Sequence, residues 1–141
     1  MRDIIPMLNA SILELAPEFE ARDMAPETLA ELEQSFRDTG KLIVWAGASN
    51  RTVYRDAHVN HAFRAWHDAH HIALKSAFDQ NGEAETCLAQ LAELKRRFPC
   101  VDARALRLID AEINGQARYF ATHGAFPADQ VQFTLEAANN V

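Results

Sequence analysis

The segment from Asp56 to Phe78 constrains this chain more than any other, because it reads as one long helix carrying two inward stripes. It ends in the turn-forming cluster Asp79-Gln80-Asn81-Gly82. At about 100° per residue, Val59, Phe63, Trp66, Ala73 and Ala77 fall on a broad apolar side. Beside it run Asn60, Arg64, His67 and His71, within a sector of about 60° that continues into Leu74 and Phe78. Polar groups on such a face must find partners or destabilise the fold.

The rest of the chain repeats the helical pattern. Leu8, Ile12 and Leu15 recur at helical spacing from Pro6 to about Ala16, until Pro17 redirects the chain. Pro26 opens a second helix, which buries Leu29, Leu32 and Phe36 and stops at Thr39-Gly40. The stretch KLIVWAGASNRTVY then breaks the period. Leu42–Trp45 and Thr52–Tyr54 are strand-prone around the turn Gly47-Ala48-Ser49-Asn50, which predicts a short β-hairpin within 41–54 or an ordered extended loop. Further helices are expected from Glu83 to about Phe98, from an Asp102 N-cap to about His123 with Gly124 as C-cap, and from Pro127-Ala128-Asp129 onward. The expected fold is all-α: a single domain over residues 1–141, built as a bundle of five or six helices.

Composition narrows the function. Hydrophobic residues make up 48% of the 141 residues, enough for a core and too many for a disordered chain. The net charge of −6, without a basic stripe, argues against general nucleic-acid binding and against anionic membrane surfaces. No apolar run approaches the roughly 20 residues of a bilayer helix. The stretch MRDIIPMLNASILELAPEFE is broken by proline and acids where a signal peptide is apolar, so a cytoplasmic protein is expected. Cys87 and Cys100 lack CxxC spacing, which suggests neither a disulfide framework nor a cysteine zinc site. GxGxxG, P-loop and nucleophile-elbow patterns are absent. Cys87, on an apolar helical face, reads as a small core residue.

The inward polar set carries the chemistry. His67 and His71, at i and i+4, can reach one metal ion from a single helix. Glu83 shares its face with Cys87, Leu91, Leu94 and Phe98, and Glu112 and Gln116 interrupt the stripe of Ala105, Leu108, Ile109 and Tyr119. The expected ligands are therefore His67, His71, Glu83 and Glu112, with His123 or His61 as substitutes. Mixed imidazole and carboxylate ligation suits Fe, Mn or Zn. A bound water of lowered pKa would serve hydrolysis, and an iron site could equally handle oxygen. Arg64 would hold an anionic substrate group, and Asp68 would act as base or orient a ligand. The competing reading is a buried hydrogen-bonded and ion-paired network that specifies packing alone. The dipeptide His67-Asp68 fits HD-type phosphohydrolases poorly, since only His58 and His61, on the same helix, precede it.

The strings VNHAFRAWHDAHH, FDQNGEAET and DAEINGQARYFATHGAFPADQ resemble small phage- and prophage-borne proteins with an FRAWHD-x-x-H element, a downstream Gly-Glu and a Glu-x-x-x-Gln helix before a Phe-Pro turn. The resemblance spans roughly residues 43–135. It singles out Asn60, Arg64, His67, Asp68, His71, Glu83, Glu112 and Gln116, and brings no established activity. It implies a phage or mobile-element context, with the host cytoplasm as location. Two classes of function follow: a metal-dependent enzyme with a small-molecule substrate, or a non-enzymatic accessory or counter-defence protein that binds a host protein.

Overall fold

The computed structural model describes residues 2–139. Helix α1 (Ile5–Leu15) is followed by strand β1 (Phe19–Arg22), helix α2 (Leu29–Thr39) and strand β2 (Leu42–Trp45). Two long helices come next, α3 (Ala57–Leu74) and α4 (Gln80–Arg97). Then α5 (Ala103–Asp110), a π-helical turn (Ala111–Gly115) and α6 (Gln116–His123) run on as one rod, and α7 (Gln130–Asn139) follows. The fold is mostly all-α, with one two-stranded sheet among the described residues. Among the described residues no helix is long and apolar enough to cross a membrane.

The sheet differs from the expected hairpin. β2 pairs in parallel with β1, Phe19 opposite Leu42 and Arg22 opposite Trp45, and α2 makes the crossover that parallel strands require. Thr52–Tyr54 forms no strand. Val53 and Tyr54 are instead buried in the main core, where the Tyr54 ring meets Phe63 at 5.2 Å. The partner strand was hidden because Phe-Glu-Ala-Arg is only four residues long, too short for its alternation to stand out, and is largely half-buried.

Local sequence explains the helix ends. Thr28 Oγ1 accepts from Glu31 N, Asp56 from Val59 N, Asp79 from Gly82 N, Asp102 from Arg104 N and Asp129 from Gln132 N, so five helices among the described residues carry side-chain N-caps. Gly40 and Gly124 close α2 and α6 in the left-handed region. α3 was expected to reach Phe78 but stops at Leu74, where Lys75 adopts φ 54°. The chain turns there, and Phe78 folds back edge-on against His71, ring centroids 4.7 Å apart. The turn leaves no room for a side chain at Gly82: a Cβ there would lie 1.9 Å from the Ala77 carbonyl oxygen.

Helix α3 lies between two cores. The larger one includes Ile12, Tyr54, Trp66, Leu94 and Ile109, and the smaller consists of Leu32, Leu42, Val44 and Ala65. Trp66 Nε1 donates to Glu93 Oε1 at 2.6 Å and His70 Nε2 sits 3.1 Å from the same oxygen, clamping α3 to α4. This packing fixes the rotation of α3, and with it the direction of His67 and His71.

Candidate metal centre and its cavity

Three of the four expected ligands converge. His67 Nε2 lies 2.7 Å from Glu83 Oε2, His71 Nε2 lies 3.2 Å from Glu83 Oε1, and the two Nε2 atoms are 3.1 Å apart. Donors around a tetrahedral ion with bonds near 2.05 Å sit roughly 3.3 Å from one another. The trio needs to spread by only a few tenths of an ångström to hold a metal ion.

The far side of each imidazole sets its tautomer. His71 Nδ1 faces the Ser76 carbonyl oxygen at 2.9 Å, and a carbonyl only accepts, so Nδ1 carries hydrogen. The Ser76 and Thr86 hydroxyls, 2.7 Å from each other, complete the surround of Nδ1. His67 Nδ1 donates in the same way to Gln90 Oε1 at 2.6 Å. Both neutral rings therefore turn bare Nε2 lone pairs toward a carboxylate. Such an arrangement repels itself unless a cation stands at its centre, either a proton or a metal ion.

The electrostatics of the trio agree. Burial works against a charged His67, yet the Glu83 carboxylate outweighs it and raises the imidazole above its ordinary value. Burial likewise works to raise Glu83, but the bonds to His67 and His71 hold it at about 2. A metal ion would take the place of that proton.

Glu112, the fourth expected ligand, stands outside the trio. Its Oε2 is engaged by Gln116 Nε2 at 3.1 Å and by Thr134 Oγ1 at 2.9 Å, which hold the carboxylate toward α6 and α7. Burial raises Glu112 above its ordinary value, against the pull of these donors. The two expected substitutes do not join the trio either. His123 is exposed and turns Nδ1 back to the Tyr119 carbonyl, and His61 Nε2 lies 3.3 Å from the Ala46 carbonyl.

A cavity of about 710 Å³ opens beside the trio. His67 and Glu83 reach its wall, while His71, 1% exposed, reaches the centre from behind. Arg64, Asn60, Glu112 and Gln116 also line it, so one cavity gathers the inward polar groups of three helical rods. Asn60 donates to Ser49 Oγ at 3.0 Å. Asp68, expected as a base, does not line the cavity. It is half-buried, without a hydrogen-bond partner among the described residues, and burial pushes it up to about 6.

Four residues that sequence reasoning passed over complete the site: Ser76, Thr86, Gln90 and Thr134. Thr86 and Gln90 follow Glu83 at i+3 and i+7, so the arithmetic that found Glu83 reaches them as well. Ser76 had no such signal, because it serves through a turn that replaces the expected end of α3. Cys87 is a core residue, buried beside Asp110, and burial pushes its thiol up to about 12.

No family model, curated protein or solved structure matches the chain.

Proposed function

We propose that this protein is a small metal-dependent enzyme, most simply a hydrolase, that binds one divalent ion through His67, His71 and Glu83. The observation that carries the reading is the convergence of two imidazole Nε2 atoms and a carboxylate within 2.7–3.2 Å, with both Nδ1 atoms committed elsewhere. Two imidazoles and one carboxylate form the donor set of hydrolytic zinc sites and of open iron sites. Both leave positions for water or substrate. Such an ion lowers the pKa of its water toward about 7, which supplies a nucleophile. Arg64, on the wall of the same cavity, would hold an anionic group of the substrate.

One observation favours a metal-free reading. With a second proton on His67, the trio closes as an ion pair with Glu83, and His67, His71 and Glu83 become a packing device between α3 and α4. Elemental analysis of protein prepared in metal-free buffer and then exposed to Zn, Mn or Fe separates the two. The metal reading expects one equivalent in the wild type and none in His67→Ala. A wild type that retains no metal overturns it.

A further inference from the structure

Two charged side chains on the cavity wall, Arg64 and Glu112, attract each other across it without closing a direct ion pair. Arg64 commits its Nη1 to the carbonyls of Trp45 and Gly47, and its guanidinium lies over the Trp45 ring, 5.4 Å from the centroid. Its Nε and Nη2 have no partner among the described residues. Glu112 engages Oε2 with Gln116 and Thr134, and its Oε1 has no partner there. Neither residue forms an ion pair among the described residues. Each side chain is anchored through one edge, its other edge has no partner among the described residues, and both residues line the same cavity.

An unpaired charge at a partly apolar wall is costly, and a ligand bringing the opposite charge relieves that cost. Phe63, Phe78, Phe126 and Val131 supply the apolar part of the wall. A volume of about 710 Å³ lies within the roughly 300–1,000 Å³ of sites for drug-sized ligands, larger than a lone ion or a metabolite of a few atoms needs.

We propose that the cavity takes a small zwitterion of dipeptide size, its carboxylate on Arg64, its ammonium on Glu112 and an apolar side chain against Phe78 and Phe126. This assignment rests on the reading of the cavity as the ligand site of the metal centre, and it names the substrate class for that site. Arg64 offers two parallel N–H donors, which suit a carboxylate. Glu112 Oε1 accepts from an ammonium while Gln116 and Thr134 keep the carboxylate in place. A plain organic anion would satisfy Arg64 and leave Glu112 stranded. A plain amine would do the reverse.

Calorimetric titration with phenylalanyl-alanine, its N-acetyl derivative and its C-terminal amide tests the assignment. Chelator-treated protein reads recognition without turnover, and metal content is measured on the same preparation after reloading. The free dipeptide should bind at least tenfold more tightly than either blocked form. Glu112→Gln should abolish the preference over the N-acetyl form alone, and Arg64→Gln the preference over the amide alone. Equal affinity for all three probes, no measurable binding of the free dipeptide, or a uniform loss in both variants would overturn the proposal. Metal uptake without zwitterion preference sinks this assignment alone. Zwitterion preference without metal uptake sinks the metal reading and leaves the ligand class standing.

Discussion

His67 and His71 present their Nε2 atoms to each other at 3.1 Å, while each ring donates from Nδ1 to an oxygen on the other side. One helical turn thus aims two lone pairs at one point, and the orienting partners come from α4 and the turn before it. Gln90 should therefore control metal affinity without touching the metal. Gln90→Leu removes the acceptor of His67 Nδ1 and frees that ring to change tautomer. We expect metal affinity to fall about 10- to 100-fold, with the circular dichroism spectrum unchanged. Unaltered affinity in a competition assay with a chromogenic chelator would show that the His67 ring is held by other means.

The fold was legible where physics is local. Asp102 caps α5 as expected, because a carboxylate satisfies free backbone N–H groups at a helix start, whereas Asp79, expected within a turn before a helix from Glu83, caps α4 from Gln80 in the same way. His67, His71 and Glu83 were found because helical spacing places each on a stripe that also holds buried residues. The parallel pairing of Phe19–Arg22 with Leu42–Trp45 was not legible, since it depends on a crossover that brings distant residues together. Glu112 was half-legible. Its inward direction was right and it does line the cavity, but the π-helical turn and the hydroxyl of Thr134 decide where the carboxylate ends. Asp68 shows the limit of face analysis: one position beyond His67 is enough to leave the cavity.

The cysteines should differ sharply in reactivity. Cys87 is 1% exposed and its thiol is pushed up to about 12, whereas Cys100 is exposed. A disulfide reagent at pH 8 should titrate one thiol in the native protein and two in guanidinium chloride. Fast reaction of both in native buffer would mean that α4 opens readily around Cys87.

Glu93 should give the clamp between α3 and α4 a pH dependence. Burial works to raise this carboxyl, but Trp66 Nε1 and His70 outweigh it and hold it below its ordinary value of about 4.5. A carboxyl depressed in the folded state adds stability above the unfolded value, and that stability is lost as pH falls through the folded one. Wild type should exceed Glu93→Gln by about 1 kcal/mol at pH 7 in urea unfolding. The gap should shrink as pH drops below about 4.5. A constant gap from pH 7 to 3 would show that the hydrogen bonds, and not the charge, carry the difference.

Gly82→Ala tests the corner that sets Glu83 opposite the histidines. Alanine is the better helix former by about 1 kcal/mol, which alone predicts stabilisation. At this position, however, the new Cβ would lie 1.9 Å from the Ala77 carbonyl oxygen and 2.8 Å from the Ala77 carbonyl carbon. Backbone cannot yield as a flexible side chain does, so the turn must open, and overpacking of this kind costs about 1–3 kcal/mol. We expect net destabilisation in urea and a loss of metal affinity at least as large as that of Gln90→Leu. A stabilised variant would mean that the corner relaxes freely.

The chelator experiment joins the site to the stability of the whole chain. An ion that binds only the folded state stabilises it by RT ln(1 + [L]/Kd), about 2.7 kcal/mol when free metal is 100 times Kd. For a domain of this size that corresponds to a melting temperature roughly 5–10 °C higher with metal than with chelator. His67→Ala removes one of three donors, and its melting temperature should be the same with and without chelator. Its stability should match that of chelated wild type to within about 1–3 kcal/mol, because the variant still strands Gln90 Oε1 and loses the bond to Glu83. A wild-type melt indifferent to both metal and chelator, with the same cost of His67→Ala in either, would assign the trio to packing.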